Sequence, residues 1–329
     1  MNESAPGEAI LPVSPVSHAA AFGIMAHHLH DDALPPTAQG SMSSDEFAVM
    51  LDYFGSRLLP AREWLERCRA GALRDEICIT FDDALRGQYD VALPILEAKG
   101  LTALYFIYTG IYEIESSDEA SVLETHRYFR NVHFKNVDDF YADFHTIVSR
   151  SSHADIVAAR VERDFDPQTY LSAYQVYSSS DRLFRFVRDE VLGPEAYRGM
   201  VDDMIVTAGL EKGDIAEQVF LSEDHILTLH DRGHEIGLHS TTHPTRMENL
   251  SRDHQFTEYR RNSLSIERIC GETPRTMSHP SNSYNASTLD VLVELDVDVG
   301  FRADCVQGGL SPMLELPRDN HTDLIHSID

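Results

Sequence analysis

Two segments of the chain carry side chains that could together hold a metal ion. The run Ile-Cys-Ile-Thr-Phe-Asp-Asp at 77–83 ends in two adjacent carboxylates, Asp82 and Asp83. Far downstream, His239 and His243 stand four residues apart in Glu-Ile-Gly-Leu-His-Ser-Thr-Thr-His. Two imidazoles and one carboxylate form a common ligand set for a catalytic metal, which leaves positions open for water and substrate. The second carboxylate is then free to act as a base, so the combination indicates metal-assisted hydrolysis.

Neither segment is specific by itself. An Asp that follows a strand commonly caps the next helix. A His-x-x-x-His pair on a helical turn places both rings on one face, as metal capture requires, but this chain has 17 histidines. The two segments become informative together because each directly follows a predicted strand of one sheet.

The elements around these segments predict a parallel sheet. Strands are predicted at 21–26, 77–81 and 103–108, and a helix at 85–99 ends at Gly100. A strand, a helix and a further strand form the βαβ pattern of parallel sheets. The alternation resumes after residue 222, with a helix at 222–232, a strand at 235–238, a helix at 251–269 and short strands at 275–278 and 299–302.

Between these two regions, residues of about 111–222 favour irregular helices with few strand runs. The architecture predicted is one α/β domain over 19–329, a (β/α) barrel interrupted by a helical insertion, with 1–18 as a loose tail rich in Pro, Ser, Ala and Glu. Active residues of such barrels lie where strands end and loops begin. Asp82, Asp83, His239, His243 and His279 all fall at such points.

Composition narrows the classes of function. The 329 residues include 42% hydrophobic ones, enough for a sizeable core, and the net charge is −27. This charge disfavours nucleic acid or an anionic membrane as a partner. No segment approaches the roughly 20 apolar residues of a membrane helix, the first 20 residues do not read as a secretory signal, and the four cysteines lack paired metal spacing. We therefore expect a cytoplasmic protein.

The motifs as a pair resemble those of a known family. Thr80-Phe81-Asp82-Asp83 and His239-Ser240-Thr241-Thr242-His243, the latter preceded by Gly-His-Glu-Ile-Gly at 233–237, are similar to the first two motifs of the polysaccharide deacetylases. These are carbohydrate esterases with a nodulation-deacetylase homology domain. The resemblance covers about 21–110 and 222–320 and implies a distorted (β/α) barrel.

The resemblance also assigns roles to individual residues. It implies that Asp82 is the general base that activates water, and that Asp83, His239 and His243 bind one divalent metal ion. We expect zinc, with Co²⁺, Mn²⁺, Ni²⁺ or Fe²⁺ as substitutes.

The later motifs depart from the family pattern. The third motif usually contains an arginine that orients the base, and here His279 stands near its place, followed by the candidate pocket residues Pro280, Asn282 and Tyr284. His279 could donate a similar hydrogen bond to the base, or it could be an ordinary loop histidine.

The last motif usually supplies a histidine as general acid. Two histidines compete for this role: His321 follows a family-like Pro-Arg segment that contains Arg318, a further candidate pocket residue, and His326 follows an apolar pair. The alternative for His326 is a disordered terminal tail.

Two further segments are candidates for contact with the substrate. His27, His28 and His30 follow the first predicted strand and could line the pocket or belong to a polar loop. The insertion could be a lid, an oligomer interface or a spacer, since connections of this length usually have a function. Its Arg127, Tyr128, Phe129 and Arg130 could contact sugar or form an amphipathic interface.

The function predicted is metal-dependent removal of an N-acetyl group from an acetamido sugar or small sugar derivative, in glycan or natural-product biosynthesis. The partner expected is a small acetylated amino sugar. The chain could also form a homo-oligomer in which the insertion is the interface. Two alternatives stay open: an amidohydrolase on a non-sugar amide or imide, and a catalytically silent sugar-binding or scaffold protein.

Overall fold

Parallel strands form the centre of the molecule. The computed structural model describes residues 22–38, 40–112, 119–172, 177–305 and 312–328. Seven strands form one sheet in the order β8-β7-β6-β5-β4-β1-β9, and every pairing in it is parallel. The strands of this sheet are β1 (Phe22–Ala26), β4 (Ile77–Asp82), β5 (Leu104–Ile107), β6 (Glu235–Leu238), β7 (Thr276–Ser278), β8 (Val299–Phe301) and β9 (Arg318–Asn320). The short strands β2 (Leu29–His30) and β3 (Met42–Ser43) pair with each other.

The last part of the chain brings the two edges of the sheet together. The Leu316 N–H donates to Gly300 O (2.8 Å) and the Arg302 N–H donates to Leu316 O (2.9 Å), so this segment runs beside β8. Two residues later the chain enters β9, which pairs with β1 at the other edge. The predicted (β/α) barrel is confirmed as a nearly closed, barrel-like sheet of seven parallel strands.

Helices follow most strands and cover the sheet, as the βαβ pattern predicts. The helices of this part are α1 (Ser44–Phe54), α2 (Ala61–Arg69), α3 (Leu93–Ala98), α10 (Glu223–Asp231), α11 (Arg252–Cys270), α12 (Ala286–Glu294) and α13 (His321–Ile328). Buried apolar side chains of the strands and of these helices form the main core. Among the described residues, no helix is both long enough and apolar enough to span a bilayer.

The helix predicted at 85–99 begins later than expected. A π-helical turn at Gln88–Ala92 leads into α3, because the preceding loop has another conformation: Asp83 and Ala84 have positive φ angles of 74° and 54°. The loop passes so close to β2 that a Cβ on Gly87 would lie 2.4 Å from Leu29 O. Glycine is therefore required there.

The inserted segment has a core of its own. Its helices are α4 (Glu119–Tyr128), α5 (Val137–Arg150), α6 (Ala154–Asp164), α7 (Ser179–Phe186), α8 (Gly193–Thr207) and α9 (Lys212–Val219), with π-helical turns at Phe129–His133 and Val187–Leu192. Buried aromatic and aliphatic side chains, among them Phe140, Phe144 and Phe184, form this second cluster. The end of the insertion joins the loop after β4, where the Arg86 N–H donates to Val219 O (2.7 Å) and the Leu221 N–H donates to Ala84 O (2.8 Å).

Candidate active site

The carboxylates and imidazoles of the two motifs meet at the C-terminal ends of β4 and β6. Asp82 is the last residue of β4, and His239 directly follows β6. Asp83, Ser240 and His243 all have positive φ angles, of 74°, 62° and 52°. Non-glycine residues in this left-handed region store strain and occur often at functional sites. Here the strained turns redirect the chain so that Asp83 and His243 face the same point.

Asp83, His239 and His243 form a group that fits a metal ion. Asp83 Oδ1 lies 3.3 Å from His239 Nε2 and 3.4 Å from His243 Nε2. One ligand atom from each residue lies within 4.8 Å of the others. Asp83 Oδ1 is buried and accepts no hydrogen bond, although a buried carboxylate oxygen normally has a partner. A divalent cation would satisfy this oxygen, and the donor set of two imidazoles and one carboxylate suits such an ion.

Neighbouring groups hold His239 in the orientation that metal binding needs. Its Nδ1 lies 2.9 Å from Ser278 O, and a carbonyl can only accept, so Nδ1 carries the proton and the lone pair is on Nε2. Its backbone N–H donates to Asn262 Oδ1 (3.0 Å). Such an outer partner fixes the tautomer of a ligating histidine and raises its basicity.

Helix α11 also fixes the loop between the two histidines. Glu258 accepts hydrogen bonds from the N–H groups of Thr241 (3.0 Å) and Thr242 (2.8 Å). Glu258 and Asn262 are four residues apart and therefore share one face of the helix. Neither residue was predicted from the sequence to support the site. The available signal was a pair of polar residues on the face of an amphipathic helix that packs against β6.

Arg318 is the partner of the proposed base. The guanidinium donates two hydrogen bonds to Asp82, from Nη1 to Oδ1 (2.7 Å) and from Nη2 to Oδ2 (2.8 Å). Ser278 Oγ adds a third, to Oδ2 (3.0 Å). Burial opposes ionisation of Asp82, but the attraction of Arg318 outweighs it and lowers the pKa of the carboxyl to about 2. Asp82 is thus a carboxylate at neutral pH, held in one orientation by a bidentate clamp.

The position of Arg318 corrects two expectations. Arg318 is 1% exposed, so it cannot be a substrate-contacting pocket residue. His279 does not hydrogen-bond the base, because its Nε2 lies 2.8 Å from Leu314 O and its ring stacks on Tyr284 at 4.0 Å. The arginine that orients the base therefore comes from β9, and His279 supports the loop after β7.

The other candidate residues of the third motif also make structural contacts. Tyr284 OH donates to Glu315 Oε1 (2.8 Å). Asn282 donates to Asp304 Oδ2 (2.6 Å) and accepts from the Ala303 N–H (2.9 Å). Pro280 is buried at the start of a 3₁₀ turn. The structure thus does not bring these three residues to the metal-binding group.

The three candidate histidines that follow β1 have different surroundings. His27 Nε2 lies 3.9 Å from Asp83 Oδ2. His28 hydrogen-bonds Thr37 Oγ1 through Nδ1 (3.1 Å), and burial lowers its pKa to about 3. The ring of His30 hydrogen-bonds Ser41 Oγ through Nδ1 (3.0 Å). Of these three histidines, His27 therefore lies next to the metal-binding group.

The two candidates for the general acid have different surroundings. His321 is buried, and its ring nitrogens lie 3.3 Å from Met25 O and 3.0 Å from Gly40 O. Burial lowers its pKa, and the neighbouring charge of His27 acts in the same direction. His326 belongs to α13, but its side chain lies outside the described residues. His27, which was predicted only to line the pocket, lies beside Asp83 in addition to the two candidate ligands His239 and His243.

Comparison with known proteins agrees with this geometry. The polysaccharide deacetylase family model matches residues 203–300, and no curated protein matches the chain. A deacetylase from Streptococcus pyogenes, PplD, whose structure contains acetate, aligns with a TM-score of 0.53 at 15% identity over 94% of this chain and 98% of that one. IcaB from Ammonifex degensii aligns with a TM-score of 0.52 at 13% identity, over 94% and 97%. A de-N-acetylase from Aggregatibacter actinomycetemcomitans gives 0.51 at 14% identity, over 91% and 93%.

These findings confirm the resemblance that the motifs indicated. Residues 203–300, which include His239 and His243, match the polysaccharide deacetylase family model, and the solved structures share the fold of this chain. The family is generally metal-dependent, and the Asp83–His239–His243 group is a possible site for the ion.

Proposed function

We propose that this protein is a metal-dependent N-deacetylase that hydrolyses the acetamido group of a small sugar or sugar derivative. The observation that carries the proposal is the Asp83–His239–His243 group with its unsatisfied buried oxygen, beside a separately clamped carboxylate, Asp82. Two carboxylates in different environments can divide ligation and proton transfer between them.

Asp83, His239 and His243 would hold the ion, and Asp82 would remain free for proton transfer. A divalent metal ion bound here would lower the pKa of water and polarise the amide carbonyl. Asp82 is ionised and can accept the proton of the attacking water. Arg318 keeps its carboxylate oriented and offsets its charge in a buried setting. His27, whose Nε2 lies 3.9 Å from Asp83 Oδ2, would deliver a proton to the leaving amine.

The surroundings of the site support a substrate of limited size. The insertion is attached to the loop after β4 by two backbone hydrogen bonds. Helix α4 brings Glu124 within 3.4 Å of His28 Nε2, so the insertion contacts the loop that follows β1. A cap at this position excludes water and long chains from a small bound substrate. The metal proposed is zinc, and the location proposed is the cytoplasm, where small and activated sugars are available.

The test joins metal analysis to acetate release. We expect one divalent ion per chain in the purified protein and acetate release from an acetylated amino sugar. His239→Ala should lose the ion and the activity together. The matched control is His254→Ala, which removes an exposed imidazole from the first turn of α11. Unchanged metal content in His239→Ala would contradict the ligand assignment.

A further inference from the structure

A cavity of about 670 Å³ lies between the insertion and the loop after β1. This volume is within the range of small-molecule sites, about 300–1,000 Å³. Guanidinium groups dominate its wall although the whole chain carries a net charge of −27. Five arginines from α4, α7, α8 and the two π-helical turns line it: Arg127, Arg130, Arg185, Arg188 and Arg198.

Only part of this positive charge is neutralised by nearby carboxylates. Arg127 pairs with Glu124, and Arg188 pairs with Asp189 at 2.5 Å. Within the described part of the chain, Arg130, Arg185 and Arg198 have no carboxylate within 4.0 Å. Burial lowers the pKa of Arg130, and the charges of Arg185 and Arg127 lower it further. The arginines therefore repel one another across the cavity.

A bound anion would relieve this repulsion. Arg185 is held in place by stacking of its guanidinium 3.9 Å from the centre of the Tyr177 ring, so its position does not depend on a carboxylate. A second cavity, of about 400 Å³, shares Arg130, Arg185, Tyr177 and Ala38 with the first. The two cavities thus share part of the cationic wall.

The cavity is next to the metal-binding group. His28 lines its wall, and the neighbouring His27 is 3.9 Å from Asp83. The charge of Asp83 acts on both His28 and Glu124. A substrate with its acetamido group at Asp82 and Asp83 could therefore extend past His28 into the cavity.

We infer that this cavity binds the phosphate or diphosphate of the substrate, which makes the substrate class a phosphorylated acetamido sugar. Arginine forks match the geometry of phosphate oxygens and bind them in bidentate pairs. Three guanidinium groups that have no carboxylate partner among the described residues provide the charge that a diphosphate needs. This inference deepens the proposed function and rests on it for the reaction, but the anion site can be tested by itself.

The first experiment measures binding without catalysis. Inorganic pyrophosphate is titrated calorimetrically into the metal-loaded wild type, Arg130→Gln/Arg185→Gln and Arg163→Gln. Arg163 is exposed and paired with Asp164 far from the cavity, so its variant is the matched control. We expect the double variant to bind about 10- to 100-fold more weakly and the control to bind as the wild type does. If the double variant fails to fold, the single variant Arg198→Gln is titrated instead, and we expect a smaller loss of affinity for pyrophosphate.

The second experiment compares acetate release from N-acetylglucosamine, its 1-phosphate and its uridine diphosphate derivative. We expect kcat/KM to favour the phosphorylated sugars, and the double variant to remove this preference while retaining turnover of the neutral sugar. If pyrophosphate binds but no sugar releases acetate, the proposed function is wrong and the anion site stands. If the wild type does not bind pyrophosphate, or the double variant binds it equally well, the inference is overturned whatever the acetate assay shows.

Discussion

Asp82 and Asp83 are adjacent in the chain, but their carboxylates face different groups. Asp82 is bonded to Arg318 and Ser278, whereas Asp83 points at two imidazoles and leaves Oδ1 without a hydrogen bond. The change of backbone conformation at Asp83, with φ of 74°, separates the two side chains. One carboxylate is therefore available for proton transfer and the other for ligation.

Asp82→Asn tests this division. The amide retains the shape of the side chain but cannot accept a proton as a base, and the ligand set of Asp83 and the two histidines is untouched. We expect unchanged metal content and a fall in kcat of about 10²–10⁴-fold. Metal analysis and acetate release check this, and near-normal turnover would show that Asp82 serves only the structure of the loop.

Arg318→Lys tests the orientation of the base. Lysine keeps the positive charge and so leaves Asp82 ionised, but it cannot form the bidentate pair or reach Arg302 O, to which Arg318 Nε donates (2.7 Å). We expect kcat to fall by about 10²-fold with little change in KM, because misplacement of a catalytic group has effects of this size. Arg318→Ala should in addition destabilise the fold by about 3–5 kcal/mol, since it leaves a buried charge without its partner. Equal kcat in wild type and Arg318→Lys would contradict the positioning role.

At the scale of elements, the site depends on strand ends held by neighbouring helices. Strand β6 presents His239, and α11 secures the following loop through Asn262 and Glu258. The turn into β6 is fixed by His234, whose Nδ1 accepts a hydrogen bond from the Ala103 N–H (3.0 Å). This contact ties the start of β6 to the start of β5, and it requires a neutral imidazole because Nδ1 must accept.

The neutral state of His234 makes the fold sensitive to acid. Burial lowers the pKa of His234 from 6.5 to about 4, so the unfolded chain binds more protons than the folded one between these values. The contribution to stability is complete above pH 6.5 and is lost as pH falls towards 4, by about 3 kcal/mol. In His234→Asn the amide oxygen can replace Nδ1 as acceptor, and it does not titrate. Between pH 7 and pH 4 we therefore expect the free energy of unfolding of this variant to fall by about 3 kcal/mol less than that of the wild type.

Urea unfolding at several pH values measures this difference. The exposed His254→Asn is the control and should follow the wild type. An unchanged pH dependence in His234→Asn would show that other groups govern acid unfolding.

At the scale of the whole molecule, the insertion adds a second core to a barrel that would otherwise leave the strand ends open. Its aromatic cluster makes the helices a stable body of their own, and its two ends meet the barrel near the candidate active site. We propose that a cap at this place limits the size of the substrate that can reach Asp82 and Asp83.

The expected consequence is selectivity by substrate length. We expect acetate release from acetamido compounds of monosaccharide size and little from chitin or peptidoglycan. Comparison of kcat/KM across N-acetylglucosamine, chitin oligomers of increasing length and insoluble chitin measures this. Robust deacetylation of the polymer without turnover of small sugars would make the insertion an interface or a polymer-binding arm.

The amino-acid sequence by itself determined what depends on local pattern. The apolar run before Asp82 and the Gly-Leu before His239 predict buried parallel strands, and polar residues directly after such strands lie at the active edge of a barrel. The strand predicted at 235–238 agrees with the structure residue by residue, and the helix predicted at 251–269 is found at Arg252–Cys270. The family resemblance and the fold followed from these local signals.

Only the tertiary structure decided which distant groups meet. Arg318 follows Asp82 by 236 positions, and it reaches the base because the last segment of the chain closes the barrel between β8 and β1. His279 stood in the expected place along the chain, but its ring is directed to Leu314 O. The cationic cavity likewise combines arginines from separate helices, whose common orientation depends on how these helices pack. Periodicity and spacing describe neighbours along the chain, whereas barrel closure and helix packing determine neighbours in space.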